Sequence, residues 1–366
     1  MYGAKRSPLS GFDFPLFLAA LLISLLGLAM ASSAVRNTPG MEGAVQRQAI
    51  YLAVGVLLAL LLAALDYRLI VSSALIWYGL GIASLLVVLI VGATIHGGQR
   101  WLNIGSQQLQ PSEFMKLALI VTLAQYLGAR DKGPWRFRYL VVSGLIAAVP
   151  IGLVYSQPDL GTALAFVVIW GLLVYVSGIS VREIVLIVGI VVVAFPLIWS
   201  KLEPYMRERV LSFINPGSNP ESSYIMDQAL ISIGSGAIWG KGYASGSQSQ
   251  LHFLRVRHSD FIFSVIGEEL GFIGAVTTIV LLAFICYRLL SIGRTAEDGF
   301  GRVIACGVGG FIAFQALVNI GMNVGWLPVT GLPLPFISLG GSALIAQFLG
   351  IGLAESVAWR RRFRRT

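Results

Sequence analysis

Apolar stretches of about 17 or more residues recur along almost the whole chain, and this pattern limits what it can fold into. Such a stretch is long enough to cross a bilayer as a helix. The first stretch is longer than the apolar core of a signal peptide and is expected to be retained as a span. The sequence therefore predicts an all-α polytopic membrane protein with about ten transmembrane helices, near residues 12–34, 45–65, 70–93, 112–128, 138–155, 162–178, 182–200, 261–286, 302–324 and 340–358.

Composition assigns the whole chain to the same class. Of its 366 residues, 56% are hydrophobic and 12% are charged, and the mean hydropathy is +0.81. No block is polar enough to form a soluble domain, so residues 1–366 are expected to form one integral membrane domain. The net charge of +9 is typical of Lys and Arg in cytoplasmic loops. The expected surface partner is therefore membrane lipid, with no nucleic acid.

Basic residues are distributed unevenly among the predicted connections. Cytoplasmic loops carry an excess of Lys and Arg, and this excess sets the orientation. If the N-terminus is cytoplasmic, one side holds most of the cations, and the opposite short connections hold only Arg36, Arg47 and Arg100. Both termini are therefore predicted to be cytoplasmic. One long loop, about 200–260, then faces outward and is expected to be functional, with a helix through "SSYIMDQALISIGSGAIWG".

Charged residues recur at the predicted outer ends of the spans. Pro111 suits the first turn of a helix, which places Glu113 and Lys116 on one helical face, close enough to pair. Either this pair only neutralises two charges at the membrane edge, or Lys116 supplies charge to a site for an anionic head group while Glu113 orients it. Asp159, which follows Pro158 in an outer turn, is expected to cap a helix or form the turn rather than take part in chemistry.

Asp260 raises the sharpest question. From the local pattern alone, Ser259 or Asp260 before an apolar run is predicted to be a helix N-cap. Two arginines, Arg255 and Arg257, and His258 crowd the same loop end, however. A partly desolvated carboxylate flanked by cations is the setting in which a general base can hold a useful pKa. Both interpretations stay open.

Two further stretches are unusual for plain spans. Glu268 and Glu269 follow Asp260 by about 12 Å of helical rise, and they are expected to be paired or hydrogen-bonded between helices. Prolines and glycines interrupt the apolar run at 325–344, and non-helical backbone at that depth is tolerated only where protein or a cavity covers it. This run is predicted to form the wall of a pocket, or else a simple interhelical hairpin.

Four ordered motifs carry a resemblance to a known family. They are "RWLNIG" with "QPSEFMK", then "QPDLGTA", "HSDFIFSVIGEELGFIGA" and "LPVTGLPLPFISLGGS". Together they cover the chain from about Arg100 to Ser342, and they resemble the SEDS family (shape, elongation, division and sporulation), most closely its rod-shape branch. Ser259 stands where the family more often has Thr, and Leu339 where Tyr is usual. Neither change removes an ionisable group.

The resemblance implies a ten-span peptidoglycan glycosyltransferase that polymerises lipid II outside the cytoplasmic membrane of a bacterium, working with a class B penicillin-binding protein. It makes Asp260 the essential aspartate and Glu113 with Lys116 a sensitive pair. Lipid II carries an α-linked sugar and the glycan is β-1,4-linked, so the transfer inverts the anomeric centre. Asp260 is then expected to act as general base. Candidate cations for the diphosphate are Lys116, Arg100, Arg207, Arg209, Arg255 and Arg257.

Two alternatives belong to other classes of protein. A transporter could flip lipid II across the membrane, but transporters generally keep their binding charges near the midplane, whereas the polar stretches here lie at one rim. A non-catalytic scaffold for cell-wall enzymes would use Asp260 only as a cap. No Cys/His zinc pattern or phosphate-binding glycine loop is present. No cofactor or metal ligand is therefore assigned, although a divalent cation could help to hold the diphosphate.

Overall fold

The computed structural model describes residues 11–36, 38, 40–95, 98–105, 107–129, 137–180, 203–215, 220–251, 253–254 and 256–361, with scattered positions between 182 and 200. The helices are α1 (Phe14–Ala34), α2 (Ala44–Ala64), α3 (Tyr67–Ser72), α4 (Ala74–Val91), α5 (Pro111–Gly128), α6 (Phe137–Ser156), α7 (Leu160–Val176), α8 (Pro204–Ile214), α9 (Pro220–Ser235), α10 (Ser247–Gln250), α11 (Ile262–Thr295), α12 (Gly299–Asn323) and α13 (Gly341–Arg360). The strands are β1 (Ala93–Ile95), β2 (Gly98–Ile104) and β3 (Gln107–Leu109).

The predicted polytopic helical fold is confirmed. All predicted spans except 182–200 coincide with helices, and that segment lies largely outside the described residues. Within the part of the chain that the structure describes, seven helices are long and apolar enough to cross a membrane: α1, α2, α4, α6, α11, α12 and α13. Helix α7 is apolar but shorter, with 17 residues. In the long loop, α9 and the turn after it occupy the predicted helical stretch.

Helices α12 and α13 form the centre of the bundle. In α12 and α13, 72% and 83% of the most apolar window is buried, against 17% in α4. Small residues allow close packing, as where Gly352 of α13 lies against the backbone of Ala59 in α2. Helix α4 instead exposes large apolar side chains such as Leu75 and Ile90. This arrangement suits a central pair surrounded by helices that face lipid.

A small antiparallel sheet between α4 and α5 was not predicted. Its order is β1-β2-β3, and Leu102 lies opposite Leu109 in the register of β2 and β3. Gly105 allows the tight turn between these two strands because its φ is +62°. Strand β2 carries Arg100, one of the predicted cations.

Helix α11 is broken at Gly271, where φ is 66° and ψ is −163°. A break frees backbone groups that need partners inside a membrane protein. The loop segment 237–242 supplies them: Lys241 and Gly242 donate to the carbonyls of Glu268 and Glu269, each over 3.0 Å. In return, the Phe272 amide donates to the Ala237 carbonyl over 2.9 Å. The long loop is therefore joined to α11 through the backbone.

Gly240→Ala is expected to destabilise the fold more than Gly242→Ala. Both glycines have positive φ, at 80° and 96°, and an alanine in that region costs about 1–2 kcal/mol. Only at Gly240 would the added Cβ also overlap the backbone of Glu269 and Gly271. Thermal unfolding of both variants in one detergent measures the difference. Equal shifts in Tm would show that Gly240 does not pack closely against the backbone of Glu269 and Gly271.

Candidate active site

Asp260 lies just before α11, and its side chain is not the cap of that helix. Helix α11 begins at Ile262 with Phe261 at the N-cap, and that cap has no side-chain hydrogen bond. The amide of Ser264 in the first turn donates instead to Asn323 Oδ1 over 3.1 Å. The N-cap interpretation of Asp260 therefore does not match the observed helix start. The carboxylate is half-buried, and Ser259 Oγ donates to its Oδ1 over 3.0 Å.

Hydrogen bonds from two directions hold the backbone around Asp260. On one side, Asn319 and Asn323 of α12 both donate to the Asp260 carbonyl, over 3.0 and 2.9 Å. On the other side, Ser338 Oγ donates to the Ser259 carbonyl over 2.6 Å, and the Leu339 amide donates to the carbonyl of residue 258 over 3.0 Å. The segment 258–260 is thus clamped between α12 and the loop that precedes α13.

The same region stores backbone strain. Val256 and Phe336 adopt φ values of 51° and 66°, in a region that such side chains rarely occupy. Strained backbone of this kind persists only where surrounding contacts determine it, and it is concentrated at functional sites. The predicted pocket wall at 325–344 is indeed largely non-helical before Gly341. Its residue Gly331 faces Asp260: a Cβ there would lie 3.8 Å from Asp260 Oδ2.

Arg100 and Asp159 lie at the rim that this loop forms with α7. Asp159 caps α7 by accepting hydrogen bonds from the Thr162 amide and hydroxyl, over 3.1 and 2.9 Å. Arg100 pairs with Asp159 at 3.8 Å and donates to the Gln157 carbonyl over 3.3 Å. Gly161 in the first turn of α7 packs against the Thr330 carbonyl. Arg100 therefore belongs to the same rim as Gly331 and Asp260.

Glu113 and Lys116 form a buried ion pair. Lys116 Nζ lies 2.7 Å from Glu113 Oε1, and both side chains are only 1% exposed. The ammonium also lies 5.6 Å from the centre of the Phe311 ring. Phe311 is two turns inward of Asn319 on α12, or about 12 Å. The structure therefore shows the predicted pairing, but it holds the Lys116 ammonium away from any surface that a head group could reach.

The polar face of α12 was missed in the sequence. Gln315, Asn319 and Asn323 are all buried and follow each other at four-residue spacing, which places them on one face. Both amide atoms of Gln315 and the Glu113 Oε2 atom are buried without a hydrogen-bond partner among the described residues. Repeated amides at helical spacing inside an apolar span are a signal that could have identified this face.

The other predicted arginines differ in their surroundings. Arg257 is only 4% exposed and donates to the Ala34 carbonyl over 2.6 Å and to Thr38 Oγ1 over 2.8 Å, and burial lowers the pKa of its guanidinium. Arg207 donates to the Ser200 carbonyl over 2.5 Å. Arg209 is exposed and lines a cavity of about 250 Å³ between α8, α9 and residues 325–329. Arg255 lies outside the described residues.

Glu268 and Glu269 bind the long loop. Glu268 accepts hydrogen bonds from Lys241 Nζ over 2.9 Å and from the amides of Gln248 and Ser249 over 2.8 and 3.0 Å. Glu269 accepts from Ser33 Oγ over 2.5 Å and from the Ala244 amide over 3.0 Å. Glu268 therefore joins α11 to the loop, and Glu269 joins α11 to both the loop and α1. Among the described residues, no group of three or more His, Cys, Asp or Glu could hold a metal ion.

Fold and site together define a class: a polytopic helical membrane protein in which Asp260 is fixed at the rim of the bundle, beside a non-helical loop. Comparison with known proteins specifies the family. The family model of the cell cycle proteins FtsW, RodA and SpoVE matches residues 14–363. The chain belongs to this family, which is the SEDS family indicated by its motifs.

Three individual similarities are close. The chain is 37% identical to the peptidoglycan glycosyltransferase MrdB of Escherichia coli K12 over 346 residues, which cover 93% of each chain. A chain in the solved structure of a peptidoglycan synthase complex matches with a TM-score of 0.81 and 32% identity, covering 95% of this chain and 97% of that one. The crystal structure of Thermus thermophilus RodA matches with a TM-score of 0.72 and 31% identity, covering 96% and 97%.

Proposed function

We propose that this protein is a peptidoglycan glycosyltransferase of bacterial cell-wall synthesis, with Asp260 as its general base. Family membership and a relative named as this enzyme, similar over 93% of both chains, support the activity. One observation carries the proposed site: the Asp260 backbone is clamped, while its side chain is left out of the helix cap and faces Gly331. A carboxylate fixed in this way is suited to proton transfer.

The proposed substrate is lipid II, an undecaprenyl-diphosphate-linked disaccharide peptide. Asp260 takes the proton from the acceptor 4-hydroxyl as that oxygen bonds to the anomeric carbon of the lipid-linked chain. The bond from the anomeric carbon to the diphosphate oxygen breaks on the opposite face, and the diphosphate leaves with the bonding electrons. The anomeric centre is inverted from α to β. A diphosphate needs stabilisation of its charge more than a proton.

Two cations are the best candidates for holding that diphosphate. Arg100 lies on the rim near Gly331, with 21% of its side chain exposed, and Arg209 lines the cavity beside residues 325–329. Lys116 and Arg257 are poorer candidates because both are buried: Lys116 lies against Glu113, and Arg257 is 4% exposed and donates to the Ala34 carbonyl. A divalent cation bound with the substrate could contribute the remaining charge.

The proposed partner is a class B penicillin-binding protein that crosslinks the new glycan. The similar chain in a peptidoglycan synthase complex, described as coordinating polymerisation and crosslinking, supports this pairing. The similarity to a protein described as a rod shape determining protein supports a role in cell shape.

We also propose that both termini are cytoplasmic. Asp13 before α1 pairs with Arg288 of α11 at 2.6 Å and with Arg361 after α13 at 3.8 Å. Both ends of the described chain therefore meet on one face of the bundle. The basic residues of that face support its cytoplasmic location.

Glycan synthesis by the purified protein tests the function. The protein, with and without its transpeptidase, is reconstituted into vesicles with labelled lipid II, and two products are measured: glycan strands on a gel, and lipid II that crosses the bilayer. The proposal predicts glycan strands. Transbilayer movement without glycan would establish the transporter alternative, and neither product in the presence of the partner would support the scaffold alternative.

A further inference from the structure

Two residues of the polar face of α12 donate hydrogen bonds to the backbone of the proposed base. Asn319 and Asn323 have no exposed surface, and they are the two donors to the Asp260 carbonyl. Polar side chains inside a membrane bundle are retained where they bond across helices. The question is what this pair accomplishes.

The two asparagines join Asp260 to its surroundings. Asn323 Oδ1 accepts hydrogen bonds from the Ser264 amide over 3.1 Å and from the Ser264 hydroxyl over 2.7 Å. Asn319 also donates to the Leu332 carbonyl over 2.9 Å. These contacts attach three parts of the site to α12. They are the Asp260 backbone, the first turn of α11 and the loop that faces the carboxylate.

Asp260 needs contacts from outside its own segment, because that segment is not part of a helix or a strand. Residues 256–261 form turns rather than helix or sheet, and Val256 within them has a strained φ of 51°. A strained turn keeps its shape only if outside contacts hold it. Fixing the carbonyl of Asp260 helps to fix the direction of its Cα–Cβ bond, and the hydrogen bond from Ser259 Oγ to Oδ1 then favours one orientation of the carboxylate.

We propose that Asn319 and Asn323 are positioning residues for Asp260. They touch no substrate; they keep the Asp260 carboxylate facing Gly331, where the acceptor hydroxyl must arrive. The inference rests on the proposed function. It concerns residues on a central helix that neither the motifs nor the predicted charges indicated.

A loss of positioning has a distinct kinetic signature. A displacement of about 1 Å in a reacting group can cost about 100-fold in rate. Asn319→Ala and Asn323→Ala each remove one donor and are expected to lower kcat by about 10-fold. The double variant leaves the carbonyl without either donor and is expected to lose about 100-fold or more. KM for the lipid-linked donor should stay within about twofold, because the substrate-binding groups are unchanged.

The experiment compares these variants with a buried hydrogen-bonding side chain far from Asp260. Ser356 of α13 has no exposed surface; its hydroxyl donates to the Leu65 carbonyl over 2.6 Å and accepts from the Tyr67 amide over 3.0 Å. It lies about 22 Å of helical rise along α13 from Gly341, where the loop that faces Asp260 ends. Ser356→Ala is therefore the control for loss of a buried hydrogen-bonding group. Glycan synthesis by full-length protein gives kcat and KM, and thermal unfolding in detergent shows how much each variant is destabilised.

The expected result is a fall in kcat at constant KM for the asparagine variants, with kcat of Ser356→Ala near wild type at a comparable loss of Tm. If the double variant does not fold, the two single variants carry the test. A kcat within twofold of wild type in the asparagine variants, or an equal loss in Ser356→Ala, would overturn the inference. Wild type and Asp260→Asn are assayed together with them, so that an inactive wild type would identify failure of the proposed function instead.

Discussion

Asp260→Asn is expected to lower the rate of glycan polymerisation by about 100- to 10,000-fold, the range that a general base contributes. Asparagine has nearly the same shape and can still accept the Ser259 hydrogen bond, but it cannot take up the acceptor proton. The fold should be unchanged, because the helix start depends on Asn323 rather than on the Asp260 side chain. Initial rates with purified lipid II and Tm in the same detergent measure both expectations.

Asp66→Asn is the matched control for that prediction. Asp66 caps α3, where it accepts a hydrogen bond from the Arg68 amide over 2.9 Å, and an asparagine can serve there as well. It makes the same chemical change far from the candidate site. A rate for Asp260→Asn above one third of the wild-type rate would rule out Asp260 as the base, whatever the control shows.

Lys116→Met is expected to destabilise the protein by about 3–5 kcal/mol, because it leaves the Glu113 carboxylate buried and unpaired. Glu113→Gln alone should destabilise the protein by a comparable amount, because it leaves the Lys116 ammonium buried and unpaired. The double variant Glu113→Gln/Lys116→Met removes both charges together, and it is expected to recover most of the lost stability. Denaturant unfolding of the four proteins in detergent gives the coupling between the two side chains.

The same four proteins decide between the two interpretations of this pair. If the pair only neutralises charge in the bundle, the double variant should regain glycan synthesis along with stability. A stable double variant without activity would show that Lys116 acts on the substrate, which requires a conformation other than the one observed. If the loss of stability in the double variant equals the sum of the two single losses, the side chains are not coupled, and the buried ion pair would be contradicted.

The sequence predicted most of the helical framework because helix-length apolar runs are a strong local signal. It did not predict the break at Gly271. The pattern of α11 is uninterrupted there, and only contact with residues 237–242, far back along the chain, satisfies the broken backbone. The small sheet was missed for a similar reason: strands such as Ala93–Ile95 are too short for alternation to be recognised.

For the candidate site, residue type and local order identified the important residues. Their hydrogen-bond partners could not be predicted from the sequence. The sequence indicated Asp260, yet its hydrogen bonds come from Asn319 and Asn323, which are 59 and 63 residues away. The pairing of Glu113 with Lys116 was predictable because it is local. The distinction between an arginine that holds another helix, such as Arg257, and one on the rim, such as Arg100, required the tertiary structure.

The most direct test of the account is to find where the reacting sugar binds. A lipid II analogue that carries a photoreactive group on the disaccharide is crosslinked to the reconstituted protein, and the modified peptides are identified by mass spectrometry. The account predicts adducts in residues 256–261 and 325–339, the two segments that face each other at Asp260, and their loss when unlabelled lipid II competes. Competed adducts found only in other parts of the chain would contradict it.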